Sequence, residues 1–171
     1  MSGGHVLLLD SNVWSHLVLG LPDSQARVLA SLNALRQKYP GAQLATSQIC
    51  VAECLVGARR LSDPDQRKAA QAELAFEFSK PELMLVEVTP QVLDRAATLR
   101  AESLRRSAAL GGPLPKADGG KLKLPDATIA ASCLAFNPPA VLVTENASDF
   151  EFLENGLQQT VAGLIVEKIG R

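Results

Sequence analysis

Short runs of unbroken apolar residues, each of strand length, recur along this chain between longer segments whose apolar residues fall at helical spacing. The runs are "HVLLLD", "AQLAT", "LMLVEV", "AVLVT" and, near the C terminus, "GLIVEKI". Between them lie "SNVWSHLVLG", with Ser11 placed to cap a helix and Gly20 to end it, and "DSQARVLASLNALRQKY", with Val28, Leu29, Leu32 and Leu35 at helical spacing. "SQICVAECLVGARRL", a segment from "SDPDQ" to about Phe78, an amphipathic segment from Pro90 to about Ala108, and "LPDATIAASCLAF" complete the helical set. Strands that alternate with helices are joined by right-handed crossovers and so lie parallel. The pattern predicts an α/β fold: a three-layer domain whose central parallel sheet of about five strands is flanked by helices, with residues 1–171 forming one domain.

With 171 residues and 47% of them apolar, the chain has enough material for one compact core. A formal net charge of −1 gives no global basic field, so a polyanionic partner would need a local patch. Cys50, Cys54 and Cys133 cannot form a closed disulfide set, and no apolar segment of signal-peptide length precedes Asp10, which together point to the cytoplasm. No run reaches the ~20 apolar residues a membrane helix needs. The Gly-, Pro- and Lys-rich "ALGGPLPKADGGKLK", Ala109 to Lys123, has neither period and reads as a mobile surface loop.

In an open parallel sheet, ligands bind beyond the carboxyl ends of the strands. The predicted topology delivers Asp10, Glu53, Asp126 and Asp149 there. Glu53 is the only charge in "ICVAECLVGA", and burying an ionised carboxylate costs several kcal/mol unless something compensates it. Taken singly, Asp126 and Asp149 read as helix caps worth about 1 kcal/mol each, Asp10 as a strand end and Glu53 as the partner of a buried arginine. Taken together, two carboxylates ~5 Å apart at an effective dielectric of ~20 repel by roughly 3 kcal/mol, so a cluster of four demands a cation. An oxygen-only set suits a hard divalent ion such as Mg²⁺, which takes one or two carboxylates directly and keeps several waters. With only His5 and His16 and no GxSxG, a serine hydrolase has little support, and no Walker or GxGxxG pattern follows a strand. Cys50 and Cys54 share a helix face without further ligands nearby, which reads as core packing rather than a zinc site.

The segments "LLLDSNVWSHL", "TSQICVAECLVGARRL", "KLPDATIAASCLA" and "LVTENASDF", in that order over nearly the whole chain, resemble the PIN-domain nuclease family and particularly its VapC-type toxins. The resemblance implies a PIN fold, a ribonuclease activity dependent on Mg²⁺ or Mn²⁺, and the toxin role in a type II toxin–antitoxin pair. It places the family's acids on Asp10, Glu53, Asp126 and Asp149 and the supporting polar positions on Ser11, Thr144 and Asn146. It also implies an RNA substrate, a small antitoxin protein covering the acidic pocket, and a homodimer. "VWSHLVLGL" and "LNALRQKY" are the candidate apolar surfaces for such partners. Candidate phosphate contacts are Lys116, Lys121 and Lys123, together with Arg59, Arg60, Arg105 and Arg106. Two positions depart from the pattern: Glu145 stands where relatives often carry a basic residue, and His16 where they often carry an acid. The alternative is a PIN scaffold that binds RNA or protein without cutting it. A phosphoacceptor role for Asp10 is disfavoured because "LLLDSN" has no second aspartate.

Overall fold

The computed structural model describes residues 4–109, 122–154 and 157–169. Five strands, β1 (Val6–Leu9), β2 (Gln43–Ser47), β3 (Met84–Val86), β4 (Val141–Thr144) and β7 (Ile165–Lys168), form one parallel sheet in the order β3-β2-β1-β4-β7. Six helices flank it: α1 (Ser11–Leu19), α2 (Pro22–Lys38), α3 (Gln48–Arg59), α4 (Pro64–Phe78), α5 (Pro90–Ala109) and α6 (Leu124–Leu134). This is the α/β architecture that the alternation of apolar runs predicts. No helix among the described residues is long and apolar enough to cross a membrane.

Successive side chains of a strand point to opposite faces, and both faces here are covered. Leu7, Leu9, Val141 and Val143 point to one side, where Val13, Trp14, Val28, Leu32 and Leu74 of α1, α2 and α4 meet them. Leu8, Ala45 and Leu142 point to the other, against Val92 and Ala96 of α5 and Ile129 and Ala130 of α6. The helix α3 contributes to both cores, with Cys50 in the second and Cys54 and Ala58 in the first. Leu7, Leu8 and Leu9 are all fully buried, and each such side chain is worth ~1.5–3 kcal/mol. The order of the central strands is thereby fixed by apolar burial on both faces.

Three local features differ from the sequence reading. The cap of α1 is Asp10 rather than Ser11: the Asp10 Oδ1 accepts a hydrogen bond from the Ser11 N–H at 2.6 Å. After β4 a single 3₁₀ turn, Ala147–Phe150, leads into an antiparallel hairpin of β5 (Glu151–Glu154) and β6 (Leu157–Thr160), where no strands were expected. Asn155-Gly156, between the two strands in sequence, is the residue pair that two-residue hairpins favour and was the available signal. The α3 helix is also less buried than its apolar run suggests, since only Cys50, Cys54 and Ala58 are buried while Val56 is 53% exposed. Of the expected surface loop, residues 110–121, including Lys116 and Lys121, lie outside the described residues.

Candidate active site

The chain runs from β1 outward through β2 to β3 and then returns to the other side of β1 with β4. That reversal leaves a crevice beyond the carboxyl ends of β1 and β4, the general ligand position in open α/β sheets. Leu9 pairs with Val143 in register, which sets Asp10 and Thr144 side by side at its base. Asp10 is only 4% exposed yet well supplied with donors. Its Oδ2 accepts from the Thr144 hydroxyl at 2.7 Å and from the Asn12 side-chain amide at 2.8 Å, while Oδ1 takes the Ser11 N–H and, at 3.3 Å, the Ser11 hydroxyl.

Thr144 is the hub of this arrangement. Its Oγ1 donates to Asp10 and accepts from the Asn12 amide and the Asn146 N–H, both at 3.1 Å. The Asn12 Oδ1 in turn accepts the Glu145 N–H at 3.2 Å. Sequence reasoning had named Ser11, Thr144 and Asn146 but missed Asn12, which joins β1 to the loop after β4. Asn146 takes part through its backbone, and its side chain is exposed.

The other three acids come from separate elements. Glu53, half-buried on α3, meets the Ser11 hydroxyl. Asp126 stands in the first turn of α6, where its carboxylate accepts from the Lys123 N–H at the helix start, half of a capping box. The residues after it, Ala127 to Leu134, are small or apolar and all buried, so α6 packs closely and carries Asp126 inward. Asp149 sits in the 3₁₀ turn, anchored by the fully buried Phe150 and by its own N–H donating to the Asn146 carbonyl at 2.9 Å.

The charges of the four acids act on one another. Burial raises the affinity of Asp10 for its proton, partly offset by Thr144 and Ser11, and the Asp149 charge raises it further. Glu53 is raised by burial and by Asp10 against the Ser11 hydrogen bond. Asp126 is pushed up to about 7 by burial and by Asp149, Asp10 and Glu53. Among the described residues no Lys or Arg forms an ion pair with any of the four. No three Asp, Glu, His or Cys side chains among them stand in a ready-made metal-holding group. Carboxylate oxygens are the donors that hard divalent ions such as Mg²⁺ take, one or two directly and the rest through water. Cys50, Cys54 and Cys133 are all buried, and burial pushes the Cys54 thiol up to about 11, as suits packing rather than ligation.

With this geometry in place, the comparison with known proteins is informative. Residues 7–151 match the PIN domain. The chain belongs to the PIN domain family. Among solved structures, this PIN chain is similar to VapBC2 from Rickettsia felis bound to a promoter DNA fragment, with 21% identity and a TM-score of 0.64 over 96% of this chain and 99% of that one. It is similar to VapBC-1 from nontypeable Haemophilus influenzae, with 21% identity and a TM-score of 0.60 over 95% of this chain and 97% of that one. It also resembles VapBC-5 from Mycobacterium tuberculosis, a member of the VapBC family of toxin-antitoxin systems, with 18% identity and a TM-score of 0.54 over 95% and 98% of the two chains. No curated protein sequence matches the chain.

The raised Asp126 has a consequence for stability. Between its ordinary value of 3.8 and about 7, the folded PIN domain holds a proton that the unfolded chain has lost, so stability falls as pH rises through that window. Thermal unfolding without divalent ions should show this decline, each kcal/mol appearing as roughly 2–4 °C in a domain of this size. Asp126→Asn should flatten it, and an unchanged slope in that variant would show that Asp126 is not under this strain.

Proposed function

We propose that this PIN-domain protein is a divalent-metal-dependent ribonuclease, the toxin of a type II toxin–antitoxin pair working in the cytoplasm. The observation that carries the reading is the convergence of Asp10, Glu53, Asp126 and Asp149 from four elements, without a Lys or Arg partner among the described residues. Repulsion on this scale is relieved either by keeping a proton, as the raised Asp126 does, or by a bound cation, which would release that proton. Mg²⁺ or Mn²⁺ would supply positive charge for the phosphodiester's developing negative charge and acidify an attacking water.

The residues of the chain divide the remaining work. Asp10 and Asp126 would hold the ion directly, while Glu53 and Asp149 would bind its surrounding waters. Thr144 and Asn12 keep the Asp10 carboxylate in one orientation, and the Ser11 hydroxyl steadies Asp10 and Glu53 together. Phosphate contacts fall to the cations near Asp126. Lys123 is exposed three residues before it, with Lys116 and Lys121 preceding in sequence. Arg59 and Arg60 are exposed at the far end of α3, roughly 10 Å beyond Glu53 along the helix axis.

An apolar cleft of about 330 Å³ lies between α1, α2 and α4, lined by Trp14, Leu17, Val18, Leu29, Leu32 and Leu83 with Arg36, Glu73 and Glu77 among its polar residues. It lies along the two segments expected to meet partners. The cleft suits an amphipathic antitoxin segment, and the similar VapBC structures come from toxin–antitoxin systems. Much of the rest of those segments is core: Val13 and Leu35 are buried. Leu21, at 78% exposure, remains for a second copy of the chain in a homodimer.

Asp126→Asn should remove RNA cleavage, by ~10³-fold or more if the carboxylate holds the ion, while the variant stays folded. Retained hydrolysis would refute the assignment, and a folded wild-type protein that binds RNA but never cuts it would favour the non-cutting scaffold. Replacing Lys116, Lys121 and Lys123 together with Ala should make the salt dependence of RNA affinity shallower by about two in the log–log slope, at ~0.7 per phosphate contact. An unchanged slope would assign these lysines to bulk solvent.

A further inference from the structure

His16 and Glu145, the two departures from the VapC pattern, meet each other in the structure. The His16 Nε2 lies 2.9 Å from the Glu145 Oε2, and on the other side of the ring the Ser24 Oγ lies 2.6 Å from Nδ1. Three elements are joined in this way: the last turn of α1, the first turn of α2 and the loop after β4. The link at Gly20 is built for it, because a Cβ there would stand 2.3 Å from the His16 carbonyl oxygen. Only glycine lets the chain turn back tightly enough to bring Ser24 to the ring. Both contacts hold in either protonation state, since Nε2–H donates to the carboxylate while Nδ1 can accept from, or donate to, the serine hydroxyl.

Glu145 is also tied by its backbone, whose N–H donates to the Asn12 Oδ1. The next links are the Asn146 N–H to Thr144 and the Asp149 N–H to the Asn146 carbonyl. The loop that delivers Asp149 is therefore pinned to α1 at Asn12 and again at His16. The side chains of His16 and Glu145 are 41% and 23% exposed, and an ion pair that open contributes only about 0–1 kcal/mol to stability. Its consequence is a second tie between the loop and α1, made by a side chain where the first is made by the backbone.

We infer that His16, steadied by Ser24, is a positioning residue of the site: through Glu145 it docks the loop carrying Asn146 and Asp149 onto α1. The role rests on the ribonuclease reading, whereas the docking itself does not.

The test is a cycle of His16→Ala, Glu145→Ala and the two combined, with the reversed pair His16→Glu plus Glu145→Arg, read both by RNA cleavage and by amide hydrogen exchange at residues 145–149. His16→Ala should lower kcat by ~3–5-fold with KM within about 2-fold, and should speed exchange of the loop amides by a similar factor. Adding Glu145→Ala should cause no further loss, and the reversed pair should recover both readouts, the signature of coupled residues. Wild-type behaviour of His16→Ala in both readouts, or losses that simply add in the double variant, would overturn the inference. Absence of cleavage by the wild type under every condition would overturn the ribonuclease reading instead, with loop exchange in the same variants then deciding the docking.

Discussion

The contact between Asp10 and Thr144 across the β1–β4 pair is the interaction on which the rest of the site depends. It exists because Leu7, Leu8 and Leu9 are buried on both faces of the sheet and hold β1 in one register against β4. A slip of one residue would turn every one of these side chains to the opposite face. The same register that fills the two cores thus sets a nearly buried carboxylate beside a buried hydroxyl. Thr144, Ser11 and Asn12 together give Asp10 enough donors to stay in place while burial and, to a lesser degree, the Asp149 charge push its proton affinity up.

Around that fixed point, each further acid is brought in by a different local device. Glu53 rides a helix whose start is tied to the end of β2. Asp126 rides a helix of small residues that can approach closely, and its carboxylate accepts the N–H of Lys123 at the start of that helix. Asp149 rides a single turn nailed down by Phe150. The three devices share one core, in which Cys50 of α3, Ile129 of α6 and Phe150 lie together, and all aim at one crevice. The electrostatic strain is therefore a property of the assembled sheet and is absent from any element alone. Under the proposed function, binding of a cation would stabilise the folded state and relieve the pocket at once.

Most of this was legible in the sequence for a physical reason. Strands covered on both faces must be apolar throughout, so "HVLLLD" and "AVLVT" could be read directly, and their ends located Asp10 and Thr144. What escaped the reading depends on partners distant in sequence or on local turns. Asn12 is an unremarkable helical residue until Thr144, 132 residues away, comes beside it. His16 and Glu145 look like two independent oddities in the sequence and become one contact only in the fold. The apolar run around Glu53 overstated its burial, because Ala52, Val56 and Gly57 face outward and nothing in composition distinguishes them from Cys50 and Cys54.

Calorimetric titration of the purified protein with Mn²⁺ near pH 6.5, repeated in buffers of different ionisation heat, would probe the pocket most directly. If the four acids are gathered for a cation, Mn²⁺ binds with release of a substantial fraction of a proton, because Asp126 with a value of about 7 is largely protonated before the ion arrives. Both the binding and the proton release should be lost in Asp126→Asn. Heats that stay at the level of dilution up to millimolar Mn²⁺, or binding with no proton released, would contradict a cation site built on these carboxylates.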